Sequence, residues 1–159
     1  GMKDHDLLAY IQPVFIDLDM NTVEPAIGAH RMDKVYAWKS MLDMGIHTSG
    51  GSDAPVVSFD AMENIYFAVT RKNISGQPQE GWIPSEKMSV DEAVKLFTKN
   101  AAYASYTEDE NGTIEVGKNA DFVVLEKNIY EIDPDEIKAT KVDMTVLGGE
   151  IVYEREVEE

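Results

Sequence analysis

The feature that most constrains this chain is the apolar run from Leu7 to Ile16, LLAYIQPVFI. It does not alternate with polar residues, so a strand built from it needs both faces covered, as in a parallel sheet flanked by helices. Gln12 and Pro13 end the strand. Asp17 to Ala29 carries Pro25, Gly28 and scattered acids and reads as a long loop. A helix is predicted from His30 to Met44, where Met32, Val35, Tyr36, Trp38, Met41 and Leu42 fall near helical spacing and Gly45 supplies the stop. Ile46 to Ser49 is then a second short buried strand. Strand, loop, helix and strand make one βαβ unit with a right-handed crossover.

The second strand opens the stretch IHTSGGSDAPVV, Ile46 to Val57, with Asp53 at its centre. Gly50 and Gly51 let the backbone turn tightly, and Pro55 cannot continue a ladder. Ser52 and Asp53 therefore sit just past the strand's C-terminal end, the edge where parallel α/β folds place chemistry. Two readings stay open for Asp53: a brace or cap for the helix that comes next, or a carboxylate that does chemistry.

Phe59 to Lys72 is predicted helical, with Met62, Ile65, Tyr66 and Val69 on one face and Arg71 and Lys72 near the C-terminal carbonyls. Ile74 to Lys87 holds Gly76, Pro78, Gly81 and Pro84 and reads as a surface loop with Trp82 pinned onto the body. Ser89 and Glu92 have capping-box spacing, and the helix behind them is expected to reach about Tyr106. Beyond Thr107 the pattern changes to short strands at Thr113 to Val116, Ala120 to Leu125, Lys141 to Leu147 and Glu150 to Tyr153. Asp133 to Ile137 reads as a one-turn helix, and Gly148 with Gly149 as a two-residue hairpin turn. The expected division is residues 1–107, an α/β part, and residues 108–159, a small β part.

The balance of charge narrows the partners. Among 159 residues, 14 are basic and 30 acidic, giving a formal charge of -16 that repels nucleic acid and anionic membrane. Glu154 to Glu159 supplies part of that excess and reads as a solvated tail. With no cysteine, disulfides, thiolate metal sites and a cysteine nucleophile are excluded, which fits a reducing, cytoplasmic setting. No membrane span or signal peptide is evident, although a longer parent could carry a signal upstream. Gly1 before Met2 reads as an expression remnant.

Two parallel strands do not complete a sheet, and four short strands do not close a sandwich. The order of motifs resolves this. LAYIQP (Leu8 to Pro13), WKSMLDMGI (Trp38 to Ile46), GSDAPV (Gly51 to Val56) and AVTR (Ala68 to Arg71) are succeeded by SVDEAVKLFTKNAAYA (Ser89 to Ala104). GTIEVGKNADFVVL (Gly112 to Leu125) and TVLGGEIVY (Thr145 to Tyr153) complete the series. In this order the chain resembles the C-terminal third of the metal-dependent amidohydrolases, in the branch called amidohydrolase family 3.

The resemblance implies an α/β fold: the last two strands and helices of a TIM-like (β/α) barrel, plus part of a small β-sandwich built from both ends of the polypeptide. Leu8 to Gln12 would be the seventh barrel strand and Ile46 to Gly50 the eighth. Asp53 would match the aspartate that ligates a divalent metal, expected to be zinc, and shuttles a proton from water to the leaving amine of an amide, N-acyl or formamide-like substrate. The family's other metal ligands lie on strands upstream of Gly1, so Asp53 is the one ligand carried over. His5, His30 and His47 read as structural or surface residues, and no HxH or HExxH pair is present. The chain by itself is thus expected to hold no metal tightly, to be inactive alone, and to associate as a homo-oligomer through its unpaired strand edge.

Overall fold

A computed structural model describes residues 1–156. Strand β1 (Ala9–Ile11) and strand β2 (Thr48–Gly50) pair in parallel, with Ala9 opposite Thr48 and Ile11 opposite Gly50. The expected parallel pair is therefore present. Ala9 and Ile11 are buried while Tyr10 points outward; its hydroxyl donates to the Ala104 carbonyl.

The connection between β1 and β2 departs from the expected loop and single helix. Two short helices, α1 (Phe15–Asp19) and α2 (Val23–Ile27), occupy the stretch predicted as loop. The helix expected from His30 to Met44 is split into a 3-10 segment, Ala29–Lys34, and α3 (Trp38–Asp43). The break lies at Tyr36, whose φ is 47°. Its cause is tertiary: the Arg71 guanidinium donates to the Tyr36 carbonyl at 3.0 Å, and the Tyr36 hydroxyl donates to the Asp19 carboxylate. Such contacts outweigh a weak local helix preference.

Helix α4 (Ala61–Thr70) is buried almost all round. It begins where the Asp60 carboxylate accepts from the Met62 and Glu63 amides at 2.8 and 3.4 Å, and ends at Arg71 in the left-handed region. The loop after it is held as expected, because the Trp82 amide donates to the Arg71 carbonyl at 2.6 Å. The capping box is also present: the Glu92 amide donates to Ser89 Oγ at 3.2 Å, and the Ser89 amide donates to Glu92 Oε2 at 2.8 Å.

The helix it starts is not continuous to Tyr106. It divides into α5 (Val90–Leu96) and α6 (Lys99–Ala104), with Phe97 and Thr98 off helical geometry. Thr98 Oγ1 donates back to the Val94 carbonyl at 2.9 Å, a bond that competes with the helix ladder. Across this break Asn100 Nδ2 donates to the Thr48 carbonyl at 2.9 Å, and Phe97 packs onto Gly50. A Cβ on Gly50 would lie 2.7 Å from Phe97 Cζ, so only glycine admits the ring.

A second sheet, ordered β3-β4-β5, is antiparallel throughout: β3 (Phe122–Leu125), β4 (Val142–Leu147) and β5 (Glu150–Glu154). Gly148 and Gly149 join β4 to β5 at φ of 59° and 84°, the left-handed pair that a two-residue hairpin requires. The short helix expected at Asp133 to Ile137 is present as a 3-10 helix, Pro134–Ala139, with Asp133 as its N-cap, and it buries Ile137 against the main core. The strand expected at Thr113 to Val116 does not form. Ile114 and Val116 are exposed there, and the segment is gathered instead around the Lys118 ammonium, which donates to the Glu108 carbonyl at 2.6 Å and Thr113 Oγ1 at 2.7 Å. Glu115 Oε2 lies 3.4 Å from the same nitrogen.

The start of the expected solvated tail lies among the described residues. Glu154 ends β5, and Arg155 pairs with Asp143 and with Glu126, while residues 157–159 lie outside the described residues. No helix is long and apolar enough to cross a membrane among the described residues.

Candidate active site

Both parallel strands run toward the same edge, so the loops leaving Ile11 and Gly50 emerge side by side. The last rung is the Gly51 amide donating to the Ile11 carbonyl at 2.9 Å. From there the second loop carries Ser52, Asp53 and the residues up to Asp60.

Asp53 is exposed and adopts a φ of 62°. Aspartate tolerates the left-handed region better than most residues, and the conformation is uncommon enough to mark the position. The Val56 amide donates to the Asp53 carbonyl at 2.9 Å, closing a tight turn, and Ser52 Oγ accepts from the Ala54 amide at 3.3 Å. The residue that caps α4 is Asp60, and the side chain that braces the turn is Ser52. Asp53's carboxylate does neither, and it makes no hydrogen bond among the described residues. That disposes of the capping reading and leaves an uncommitted carboxylate at the C-terminal edge of a parallel sheet.

The histidines stand elsewhere. His5 lies in an N-terminal 3-10 turn and His30 at the start of another, both exposed. His47, just ahead of β2, bonds through Nε2 to the Asn100 carbonyl at 3.1 Å and stacks on Tyr103 with ring centroids 4.1 Å apart. Each histidine has the structural or surface setting expected of it. Among the described residues no three His, Cys, Asp or Glu converge, so the donors of these residues do not by themselves fit a divalent metal ion.

Two further groups, one at each end of α4, were not legible as such in the sequence. Asn64 looks like one polar position within an apolar helix; it is buried, accepting from the Val14 amide at 3.1 Å through Oδ1 and donating through Nδ2 to the Asp60 carbonyl at 3.0 Å. Its spacing of four from Asp60 was the available signal. Arg71 was expected near the last carbonyls of its helix, where it does sit, as the C-cap residue. It is also fully buried, with its guanidinium carbon 5.2 Å from the Trp38 ring centroid and 5.5 Å from that of Trp82.

Arg71 Nε donates to the Trp82 carbonyl at 2.7 Å, and Nη2 has no partner among the described residues. Burial pushes Arg71 down to about 10, against the opposing pull of Glu86 and Tyr36. Glu86 is itself buried and accepts from the Ser40 amide at 2.9 Å in the first turn of α3. Burial, reinforced by the Asp19 carboxylate, raises the Tyr36 phenol above its ordinary range. This buried group joins α3, the end of α4 and the loop beyond it.

The profile of the amidohydrolase family (Amidohydro_3) matches residues 2–153. The chain is 38 % identical over 145 residues to a putative amidohydrolase, YtcJ, of Bacillus subtilis (strain 168), covering 91 % of this chain and 27 % of that protein. It is 35 % identical over 122 residues to the N-substituted formamide deformylase of Arthrobacter pascens, covering 77 % of this chain and 22 % of that protein. A crystal structure of an uncharacterized metal-dependent hydrolase from Pyrococcus horikoshii OT3 shares the fold, with a TM-score of 0.73 at 21 % identity, over 83 % of this chain and 26 % of that one. The chain thus spans about a quarter of the length of these relatives. By profile and by likeness to its relatives, this chain belongs to the amidohydrolase family.

Proposed function

We propose that this chain is the C-terminal part of a hydrolase of C–N bonds in amide, N-acyl or formamide-like substrates, with Asp53 as its proton-transferring carboxylate. Residues 1–107 would supply the last two strands and helices of a TIM-like barrel, and residues 108–159 part of a small β-sandwich. The observation that carries the reading is Asp53 itself: an exposed carboxylate in left-handed backbone at the C-terminal edge of a parallel pair, free of any capping or bracing bond among the described residues. The formamide deformylase relative cleaves a bond of the proposed class, as its name states.

Hydrolysis at a carbon bearing nitrogen needs a proton removed from the attacking water and a proton delivered to the departing nitrogen. A single carboxylate on the reacting face serves both transfers in turn, and such acid–base help typically contributes about 10² to 10⁴ in rate. The divalent metal of the family, with zinc the expected ion, would draw its remaining ligands from outside this chain. Alone, the chain is expected to show no useful turnover.

A second reading concerns the isolated polypeptide, as a non-catalytic piece that self-associates. It is favoured by Val124, Leu147, Ile151 and Val152 of the antiparallel sheet, all large apolar residues left exposed. A homo-oligomer is expected, and light scattering that returns a clean monomer at high concentration would refute it.

The enzymatic reading is tested by replacing the matching segment of the Arthrobacter formamide deformylase with this chain and monitoring formate release. Activity that is retained in the hybrid and lost on Asp53→Asn supports it. A folded, metal-loaded hybrid that works equally well with Asp53→Asn removes Asp53 from the chemistry.

A further inference from the structure

Asn64 joins the two loops of the candidate site through backbone partners alone. Val14 N–H can only donate and the Asp60 carbonyl can only accept, so the two neighbours fix the amide's orientation: Oδ1 toward Val14 at 3.1 Å, Nδ2 toward Asp60 at 3.0 Å. Val14 lies on the loop that leaves β1, and Asp60 ends the loop that leaves β2. These loops part at the rung between Gly51 N–H and the Ile11 carbonyl. They are rejoined in the first turn of α4, where Asn64 Oδ1 accepts from Val14 N–H, closing a ring of backbone made of residues 11–14 and 51–64. The Asp60 carbonyl also accepts from the Asn64 backbone amide at 3.3 Å, so the Nδ2 bond orients the side chain and the Val14 bond makes the link.

Asp53 sits within that ring, on its longer arm. Pinning both ends of a loop lowers the number of conformations open to the residues between them. Those residues include the one whose left-handed backbone aims the candidate carboxylate. The side chain doing the pinning is 1 % exposed, so water does not compete for either bond, and a buried amide that lost one of them would leave a polar atom unpaired. A leucine of similar size would pack on α4 equally well. Nothing about core packing calls for an amide at this point; the two loops do.

We propose that Asn64 is a positioning residue that clamps the β1 and β2 loops together and so holds Asp53 in its left-handed, outward-facing conformation. This rests on the reading of Asp53 as the reacting carboxylate. The link between the loops is the Val14 bond, while the Nδ2 bond to Asp60 turns the amide so that Oδ1 faces Val14, and substitution separates the two. Asn64→Leu removes both. Asn64→Asp keeps the acceptor for Val14 N–H and loses the donor to Asp60.

The test uses the isotopically labelled full chain and two nuclear magnetic resonance readouts, amide exchange at Val14 and the backbone shifts and couplings that report the sign of φ at Asp53. In Asn64→Leu, Val14 exchange is expected to speed up about tenfold relative to the buried Ala93 amide, as loss of one hydrogen bond implies. In the same variant the Asp53 signals should leave their left-handed values. In Asn64→Asp, which keeps the acceptor, Val14 stays protected to within about twofold and the Asp53 signals keep their left-handed values. Should Asn64→Leu fail to fold, Asn64→Ala, which also removes the acceptor, carries the test.

Uniform acceleration of all amides, or Asp53 signals unchanged in folded Asn64→Leu or Asn64→Ala, would overturn the clamp. Neither readout depends on turnover. A hybrid enzyme that tolerates Asp53→Asn would therefore cost Asp53 its catalytic role and leave the clamp standing, whereas unmoved Asp53 signals in Asn64→Leu or Asn64→Ala would do the reverse.

Discussion

Replacing Arg71 probes the most heavily buried charge among the described residues. Its guanidinium is fully buried and sandwiched by Trp38 and Trp82, donating to the carbonyls of Trp82 at 2.7 Å and Tyr36 at 3.0 Å. The Tyr36 carbonyl also accepts from the Trp38 amide at 2.8 Å, so it keeps a partner when Arg71 is lost. The Trp82 carbonyl has no second donor of this kind among the described residues. Arg71→Met should therefore lose two charge-assisted bonds worth about 1.5 to 3 kcal/mol each, leave one carbonyl unpaired, and strip the nearby buried Glu86 of its positive neighbour. Relief of the desolvation that burial imposes on the guanidinium returns part of this, for a net loss of about 4 kcal/mol.

Arg71→Lys keeps the charge but has no fork, so it reaches one carbonyl at most and is expected to cost about 2 kcal/mol. Urea unfolding monitored by tryptophan emission is the natural assay, because the chain has two tryptophans and both flank Arg71. Arg71→Lys within about 0.5 kcal/mol of wild type would refute the argument, since the fork would then be unnecessary.

Three other perturbations rest on local geometry. Gly50→Ala puts a methyl 2.7 Å from Phe97 Cζ and should destabilise by about 1 to 3 kcal/mol, with Phe97→Leu restoring part of the loss in a double-mutant cycle. Ser89→Ala removes the cap of α5 and should cost about 1 kcal/mol by urea unfolding. Burial pushes the Glu92 carboxyl up, but hydrogen bonds from the Ser89 amide and hydroxyl and the Lys39 ammonium outweigh it and hold Glu92 below the ordinary carboxylate range. A carboxylate lowered on folding adds stability that is present above its unfolded pKa and lost as pH falls through the folded one. Glu92→Gln should therefore flatten the acid limb of a stability-against-pH curve; an unchanged limb would contradict this.

How much of this could be read in advance depended on how far each determinant lies along the chain. The parallel pair was legible because LLAYIQP and the Gly50-Gly51 turn act within a few residues of the strands they define. The Ser89 capping box is equally local. The break at Tyr36 was not, since the donor that forces it is Arg71, 35 residues later. Distance is not the whole of it. The break at Phe97 involves the nearby Thr98 back-bond as well as Gly50 on β2. The Thr113 to Val116 strand was lost to a neighbour in sequence, Lys118, whose side-chain partners a strand pattern does not reveal. At the candidate site, Asp53 announced itself through its turn and motif. Asn64 did not, because its meaning lies in Val14, 50 residues away, and nothing in a helical repeat distinguishes a clamp from a stray polar residue.

The loop around Lys118 carries its own counterion on a four-carbon tether. The positive charge that gathers the loop's oxygens is thus covalently part of the chain and cannot be dialysed away. The same arrangement hides a cleavage point: a protease that selects lysine must draw the side chain into its own pocket, and this ammonium is already engaged by Glu108, Thr113 and Glu115. Limited trypsin digestion is expected to spare the bond after Lys118 while cutting the exposed lysines first. Acetylating that amine in the unfolded chain before refolding would leave the oxygens around it without the positive charge that gathers them.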